Sequence, residues 1–254
     1  MSSSIWTQCA GEREIRPLAC SALRAVEAQH VIATRKLVDS PEEQEVLEAL
    51  IDSAKPPWPR GLEADGLHYL LATPFRYPPL RHGSRFGTRD QPGLWYGSRQ
   101  EFTALAEVAY YRLLFVEGSA ANLDPLEMEI STFRVRVATD RGVDLAAPPF
   151  DAFRGAIASP TSWSRSQALG TAMREAGVEL FLAPSARDPR GGLNVGLLTP
   201  GPFGRRGPTG LTSWHCTTTT GGVEFVRRSL RRRQTLVFDR ELFLVDGVLP
   251  RPGI

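Results

Sequence analysis

The chain is short of lysine and of cysteine, and each shortage excludes chemistry. Lysine occurs only at Lys36 and Lys55, although Lys and Arg together number 30. Nothing beyond residue 55 can therefore act as a phosphate-loop lysine or form a Schiff base. Cys9, Cys20 and Cys216 are an odd set without paired spacing, so no disulfide framework is expected. There is no CxxC, and His30, His68, His82 and His215 are scattered, so no zinc or other metal site is expected. The GxGxxG, HExxH and GxSxG patterns are absent, which removes the signatures of dinucleotide folds, zinc proteases and α/β-hydrolases. No apolar run approaches the roughly 20 residues of a membrane helix. The first ten residues lack the basic-then-apolar order of an export signal, and the expectation is a cytoplasmic protein without membrane contact. A net charge of +2 is too small for a dedicated nucleic-acid binder.

What remains is 254 residues of ordinary globular composition, 42% hydrophobic and 23% charged, long enough for one large domain with additions. Residues 1–62 read as a helical N-terminal extension. Within it, Arg13–His30 is moderately periodic, and Ser40-Pro41-Glu42-Glu43 is a strong helix start: a capping serine, a proline at the first position and acids at the positive end of the dipole. Val46, Leu47, Leu50 and Ile51 follow as one apolar stripe, expected to pack on the main body or else to dock a partner. The run Lys55-Pro56-Pro57-Trp58-Pro59 ends that helix as a stiff connection.

Residues 63–254 read as a mixed α/β domain with a β-rich C-terminal extension. The pattern predicts a strand at Leu94–Tyr96, a helix over Glu101–Glu117, and an alternating strand at Ile130–Val137 with Phe133, Val135 and Val137 inward. It predicts helices at Asp151–Ile157 and Ser166–Ala176, the latter ended by Gly177. Val178–Ala183 is short and almost wholly apolar, as a buried central strand is. Further strands are expected at Leu193–Leu198, Thr212–Thr218, Val223–Val226, Thr235–Phe238 and Leu242–Val245, with a turn at Asp246-Gly247.

Candidate chemistry concentrates in residues 74–107. On a helical wheel from Phe102 the apolar stripe falls within about 60°, whereas Glu107 lies near 140°. Its neighbours there, Thr103, Tyr110, Tyr111 and Leu114, are too apolar for a freely solvated face. A carboxylate in such surroundings needs a reason, because burying an unpaired charge is costly; it is either paired with an arginine or functional. Arg76 and Arg85 flank a Gly/Pro-rich stretch and could grip phosphate oxygens with their planar forks, or could be surface charge. Tyr96 ends a strand, where it could stack on a ligand ring, donate a hydrogen bond or fill the core.

The ordered set Arg76-Tyr77, Gly83-Ser84-Arg85-Phe86, Trp95-Tyr96 and Ala104-Leu105-Ala106-Glu107-Val108 resembles the RES-domain family, bacterial proteins that are often the toxins of toxin–antitoxin pairs. Ala183-Pro184-Ser185-Ala186-Arg187, followed by Gly192-Leu193-Asn194-Val195, resembles the family's Pro-Ser-Ala element and trailing Asn. The likeness spans about residues 70–200. It departs from the family at Gly83-Ser84-Arg85-Phe86, where many members have Gly-Gly-Arg-Trp, and in its long N- and C-terminal additions. The resemblance implies an ADP-ribosyltransferase-like mixed sheet flanked by helices, and NAD as substrate rather than cofactor. It implies cleavage of the nicotinamide–ribose bond, with inorganic phosphate or water as acceptor. Carried over by position, Glu107, Arg76 and Tyr96 are its catalytic residues, and Arg85, Tyr77, Ser185 and Asn194 bind substrate. The implied partner is a cognate Xre-like antitoxin; an oligomer is left open.

Two other readings stand beside this one. The chain could transfer ADP-ribose to a protein, or it could be an inactive binding module acting through its additions. For the latter, Arg227, Arg228, Arg231, Arg232 and Arg233 around Ser229-Leu230 form either a solvated basic face or a docking site. The pair His215-Cys216 suggests a nucleophile and base, but adjacent residues on a strand point to opposite faces.

Overall fold

The structure is a computed structural model that describes residues 4–28, 37–62, 64, 66–228 and 233–252. Along the chain the helices are α1 (Ile5–Gln8), α2 (Pro41–Ser53), α3 (Tyr69–Arg76), α4 (Glu101–Gly118), α5 (Arg154–Ile157) and α6 (Ser164–Glu175). The strands are β1 (Arg16–Glu27), β2 (Trp95–Ser98), β3 (Leu126–Asp144), β4 (Leu180–Pro184), β5 (Leu193–Leu197), β6 (Thr209–Thr219), β7 (Gly222–Arg228) and β8 (Arg233–Asp239). They form one mixed eight-stranded sheet in the order β1-β2-β5-β4-β3-β6-β7-β8, with helices against it. The fold is thus mixed α/β.

The long strand β3 organises the sheet. One of its edges carries β1, in antiparallel register from Glu27↔Ile130 to Arg16↔Gly142. Its other edge is shared: β6 pairs with the first half, and β4 runs parallel to Gly142–Asp144. Because β1 also meets β2 at Leu23↔Ser98, the five strands β1, β2, β5, β4 and β3 close on themselves. Closure protects edges that would otherwise stay unpaired. β4 is buried along its whole length. Leu180 and Leu182 face one core with Trp95, Phe133 and α3, whereas Phe181 and Ala183 face another with α1 and α6.

The expectation of a helical N-terminal extension is corrected here. Arg16–Glu27 is β1, a strand of the sheet paired with β3 along nearly its whole length. Its Ala, Leu, Arg and Glu residues favour helix intrinsically, but propensity yields to a ladder offered by β3. The α2 helix does form where its start signal lies. The Glu43 N–H donates to Ser40 Oγ at 3.1 Å, a side-chain N-cap, and the Glu43 carboxylate reaches back to accept from the Asp39 N–H at 2.8 Å, one residue before the cap. Its apolar stripe does not pack on the body, however: Val46, Leu50 and Ile51 are exposed. The expected strand Leu242–Val245 is also replaced, by a 3-10 turn at Arg240–Phe243 and a single Val245↔Val248 bridge. That bridge encloses Asp246 and Gly247, both at positive φ (51° and 76°), as a tight hairpin turn requires.

Helix α4 buries one broad face, while the expected second covered side, which carries Glu107 and Tyr111, borders a cleft instead, with Tyr111 and Phe115 exposed. Leu105, Ala109, Tyr110 and Leu113 join Trp214, Phe225 and Phe238 of β6–β8 in one core. Among the described residues no helix is long and apolar enough to cross a membrane. Helix α6 approaches the 83–87 loop so closely at Gly170 that a side chain there would overlap the Phe86 carbonyl. Replacing Gly170 with Ala is expected to destabilise the protein by about 1–3 kcal/mol through overpacking, read as a lower denaturant midpoint with an unchanged slope.

Candidate active site

Strand β1 (Leu23–Glu27), strand β2 (Tyr96–Ser98) and helix α4 (Ala104–Phe115) wall a cleft of about 750 Å³, within the size range of ligand pockets. Glu107 projects from α4 into it. The arginine pairing considered for this residue does not occur: Glu107 makes no ion pair among the described residues. Instead two neutral donors converge on one of its oxygens. Ser185 Oγ and Asn194 Nδ2 each donate to Oε1 at 2.6 Å. The second oxygen has no hydrogen-bond partner among the described residues.

Both donors are held in orientation. Ser98 and Asn194 are Cα partners across β2 and β5, and Ser98 Oγ donates to Asn194 Oδ1 at 2.8 Å. A carboxylate can only accept, so the Asn194 amide turns its NH₂ to Glu107 and its carbonyl to Ser98. Ser185 follows directly on β4. Its Oγ accepts from the Arg187 and Asp188 backbone N–H groups, each at 3.1 Å, which leaves its one hydrogen for Glu107. The loop after Ser185 is fastened to α4 in turn, because Thr103 Oγ1 donates to Asp188 Oδ2 at 2.7 Å. Ser98, Ser185 and Asn194 are all buried, so the network is shielded from water.

Cations surround this carboxylate without neutralising it. Arg85 lines the cleft and donates to the Ser159 carbonyl at 2.7 Å. Its loop is held by Gln167 of α6, which donates to the His82 and Ser84 carbonyls at 3.0 and 3.1 Å. Arg187 is buried, stacks 3.4 Å over the Tyr110 ring and donates to the Pro160 carbonyl. Arg24 reaches the cleft from β1, donating to the Tyr96 carbonyl at 2.9 Å. Burial pushes its guanidinium down to about 10. Burial likewise pushes the Arg187 guanidinium down and the Tyr96 phenol far up, against the pull of nearby Arg85. The Tyr96 hydroxyl lies close to the Phe86 backbone yet makes no hydrogen bond of ordinary geometry.

Buried polar atoms are normally paired. Here Arg24 Nε, Ser84 Oγ, Tyr96 Oη and Arg112 Nε are all buried without hydrogen-bond partners among the described residues, and all belong to residues lining this one cleft. Arg24, Arg85 and Arg187 line the cleft without a carboxylate partner among the described residues, which suits it to a polar, anionic ligand. Among the described residues no group of three or more His, Cys, Asp or Glu side chains could hold a metal.

The cleft therefore gathers Glu107, Tyr96, Arg85, Ser185 and Asn194 from the sequence expectation. It does not gather Arg76 and Tyr77. Arg76 closes α3 and donates from Nε to the Pro56 carbonyl at 2.7 Å, with its guanidinium 5.7 Å from the Trp58 ring. Its work is to clamp the proline-rich connection, and Tyr77 beyond it is exposed. Sequence reasoning missed Arg24, Ser98, Arg112 and the role of Arg187. Arg24 did leave a signal, as the one charge within Ala22-Leu23-Arg24-Ala25-Val26, but a helical reading hides it. The His215–Cys216 pair is separated as the strand argument required: Cys216 is buried in the core, whereas His215 faces Glu127 and Glu129 at the surface. In the basic cluster, Arg227 is tied to Gln234 at 2.7 Å and sits 3.8 Å from Glu101; residues 229–232 lie outside the described residues.

A family model described as the RES domain matches residues 57–218. No curated protein matches. Among solved structures, the M. tuberculosis MbcT–MbcA toxin–antitoxin complex is similar over 94% of this chain and 95% of that chain, at 13% identity and a TM-score of 0.44.

The arginines that line the cleft make the fold sensitive to anions. Inorganic phosphate at ten times its dissociation constant should stabilise the fold by about 1.4 kcal/mol, read as a rise in thermal midpoint. Arg24→Met should lose most of that rise, whereas Arg24→Lys should keep part of it. An equal rise in all three proteins would place the anion elsewhere.

Proposed function

Because the chain belongs to the RES domain family, we propose that it cleaves the bond between nicotinamide and ribose in NAD. The observation that carries this reading is the state of Glu107. One oxygen is held by two neutral donors, and among the described residues the other has no hydrogen-bond partner and no arginine forms an ion pair with the charge.

The chemistry asks for such a group. As the bond from ribose C1′ to the pyridinium nitrogen breaks, its electron pair moves to nitrogen and nicotinamide leaves neutral, so no proton need be delivered. Positive charge builds on the ribose ring instead. A fixed carboxylate beside the ribose stabilises charge that exists fully only in the transition state, and therefore accelerates the step rather than merely tightening binding. The acceptor oxygen, from inorganic phosphate or from water, then bonds to C1′; water loses a proton in doing so. Ser185 and Asn194 fix the Glu107 carboxylate in place, and both donate to the same oxygen, leaving the other to face the ribose. Arg24, Arg85 and Arg187 supply the positive charge for the pyrophosphate of NAD or for a phosphate acceptor. Tyr96, with its unpartnered hydroxyl, serves to orient the nicotinamide end.

The same reading makes the protein the toxin of a toxin–antitoxin pair, with an Xre-like antitoxin as its partner.

The test is nicotinamide release from NAD, with and without inorganic phosphate. Glu107→Gln keeps the shape and hydrogen-bonding capacity of the side chain but removes the charge. It should lower kcat by at least about a thousandfold, a loss typical for a group that stabilises transition-state charge, while NAD still binds. A phosphate requirement identifies a phosphorylase, and release without phosphate a hydrolase. Label from NAD appearing on a protein band, with little free product, would instead make the chain an ADP-ribosyltransferase. Full activity in Glu107→Gln would overturn the assigned role.

A further inference from the structure

The cleft continues beyond the Glu107 centre, and its far arm has a different character. Along α4, Glu107, Tyr111 and Phe115 follow at intervals of four residues, about 6 Å per step, so all three project from one side of the helix. All three line the cleft. Tyr111 is 52% exposed and Phe115 55% exposed, unusual for aromatic side chains that border a well-covered helix. Opposite them runs the end of β1. There Glu27 accepts from Arg112 Nη1 at 3.3 Å, and the Arg112 guanidinium lies 5.3 Å from the Phe115 ring. Arg112 is itself largely covered, with its Nε buried and unpartnered. The far arm thus offers two exposed aromatic side chains, bordered by the Arg112–Glu27 ion pair with its exposed carboxylate.

Resting on the NAD-cleaving reading, we propose that Tyr111, Phe115, Arg112 and Glu27 form a purine-base subsite, so that the enzyme selects a dinucleotide over nicotinamide mononucleotide. A planar base gains by stacking on aromatic side chains. The base edge carries the remaining chemistry: ring nitrogens accept from Arg112, and an exocyclic amino group donates to Glu27. The carboxylate that meets the reacting ribose, the stacking side chains, and Arg24 and Arg85 for the pyrophosphate all line the same cleft. Binding a distant part of the substrate fixes the reacting part, so loss of the base contact lowers kcat/KM even though no reacting atom is touched.

The experiment compares NAD with nicotinamide mononucleotide, and measures ADP binding directly by calorimetry. In the wild type, kcat/KM for NAD should exceed that for the mononucleotide at least tenfold. In Tyr111→Ala/Phe115→Ala that ratio should fall at least tenfold, and ADP affinity should fall by a similar factor. Tyr111→Phe/Phe115→Tyr, which keeps both rings, should restore the ratio. Circular dichroism confirms folding, and both positions are exposed enough to tolerate the change. Equal efficiency on the two substrates in the wild type, or an unchanged ratio in the double alanine variant, would overturn the subsite. If neither substrate is cleaved, the NAD-cleaving reading fails, and ADP binding decides the subsite alone. Weaker ADP binding in the alanine variant then upholds it, and equal or absent binding in both proteins sinks it.

Discussion

A negative charge half-buried beside apolar surface must be either cancelled or supported, and the architecture around Glu107 supports it. Two neutral donors spread part of the charge, and those donors depend on the strands that carry them. The β4–β5 pairing sets Ala183 opposite Asn194 and Pro184 opposite Leu193, so the residue just past β4 and the residue inside β5 meet the same carboxylate. The β2–β5 pairing sets Ser98 against Asn194 and fixes the amide. Helix α4 must then present Glu107 at the right height, which follows from its burial against β6–β8 on one side and from the Thr103–Asp188 hydrogen bond near its start. Had an arginine been used to cancel the charge, none of this register would matter to the site, and the carboxylate would be spent.

That dependence explains which parts were legible in the sequence. Local signals were reliable where a residue's own chemistry decides the outcome. Ser40 and Glu43 cap a helix, Gly177 ends one, Asp246-Gly247 turns a chain, and an all-apolar five-residue run is a central strand. The oddity of Glu107, off the apolar stripe of α4 among aromatic neighbours, was also readable from its wheel, although that side borders a cleft rather than a second covering layer. Reasoning failed where tertiary pairing overrides local preference. The β1 segment carries good helix formers, yet β3 offers it a ladder more than ten residues long. With β1 misread, Arg24 could not be seen as a cleft residue, and Arg76 stood in for it as the partner of Arg85. The structure gives Arg76 a different task, beside Pro56 and Trp58. Ser98 carried no sequence signal at all, because a serine ending a short strand is commonplace and only its register opposite Asn194 gives it meaning.

The family match begins at residue 57, whereas β1 ends at Glu27. The site nonetheless draws Arg24 and Glu27 from β1, and β1 supplies the contact with β2 that closes the ring. The N-terminal strand is thus part of the working structure rather than an appendage to it. The exposed apolar stripe on α2 is a different matter, since it supports neither the sheet nor the cleft.

The cleft is also rich in positive charge that no carboxylate pairs among the described residues. Arg24, Arg85 and Arg187 line it without a carboxylate partner among the described residues, and burial disfavours the charged form of Arg24 and Arg187. Leaving such groups unpaired costs stability, and a neutralising glutamate on β1 or β2 would have removed that cost at the expense of anion binding. A doubly charged pyrophosphate meets the same need from outside. On the proposed reading the arginines would receive the phosphates, while Glu107, held only by neutral donors, keeps its charge for the ribose. The unpaired positive charge that costs the protein stability is what an anionic ligand would repay.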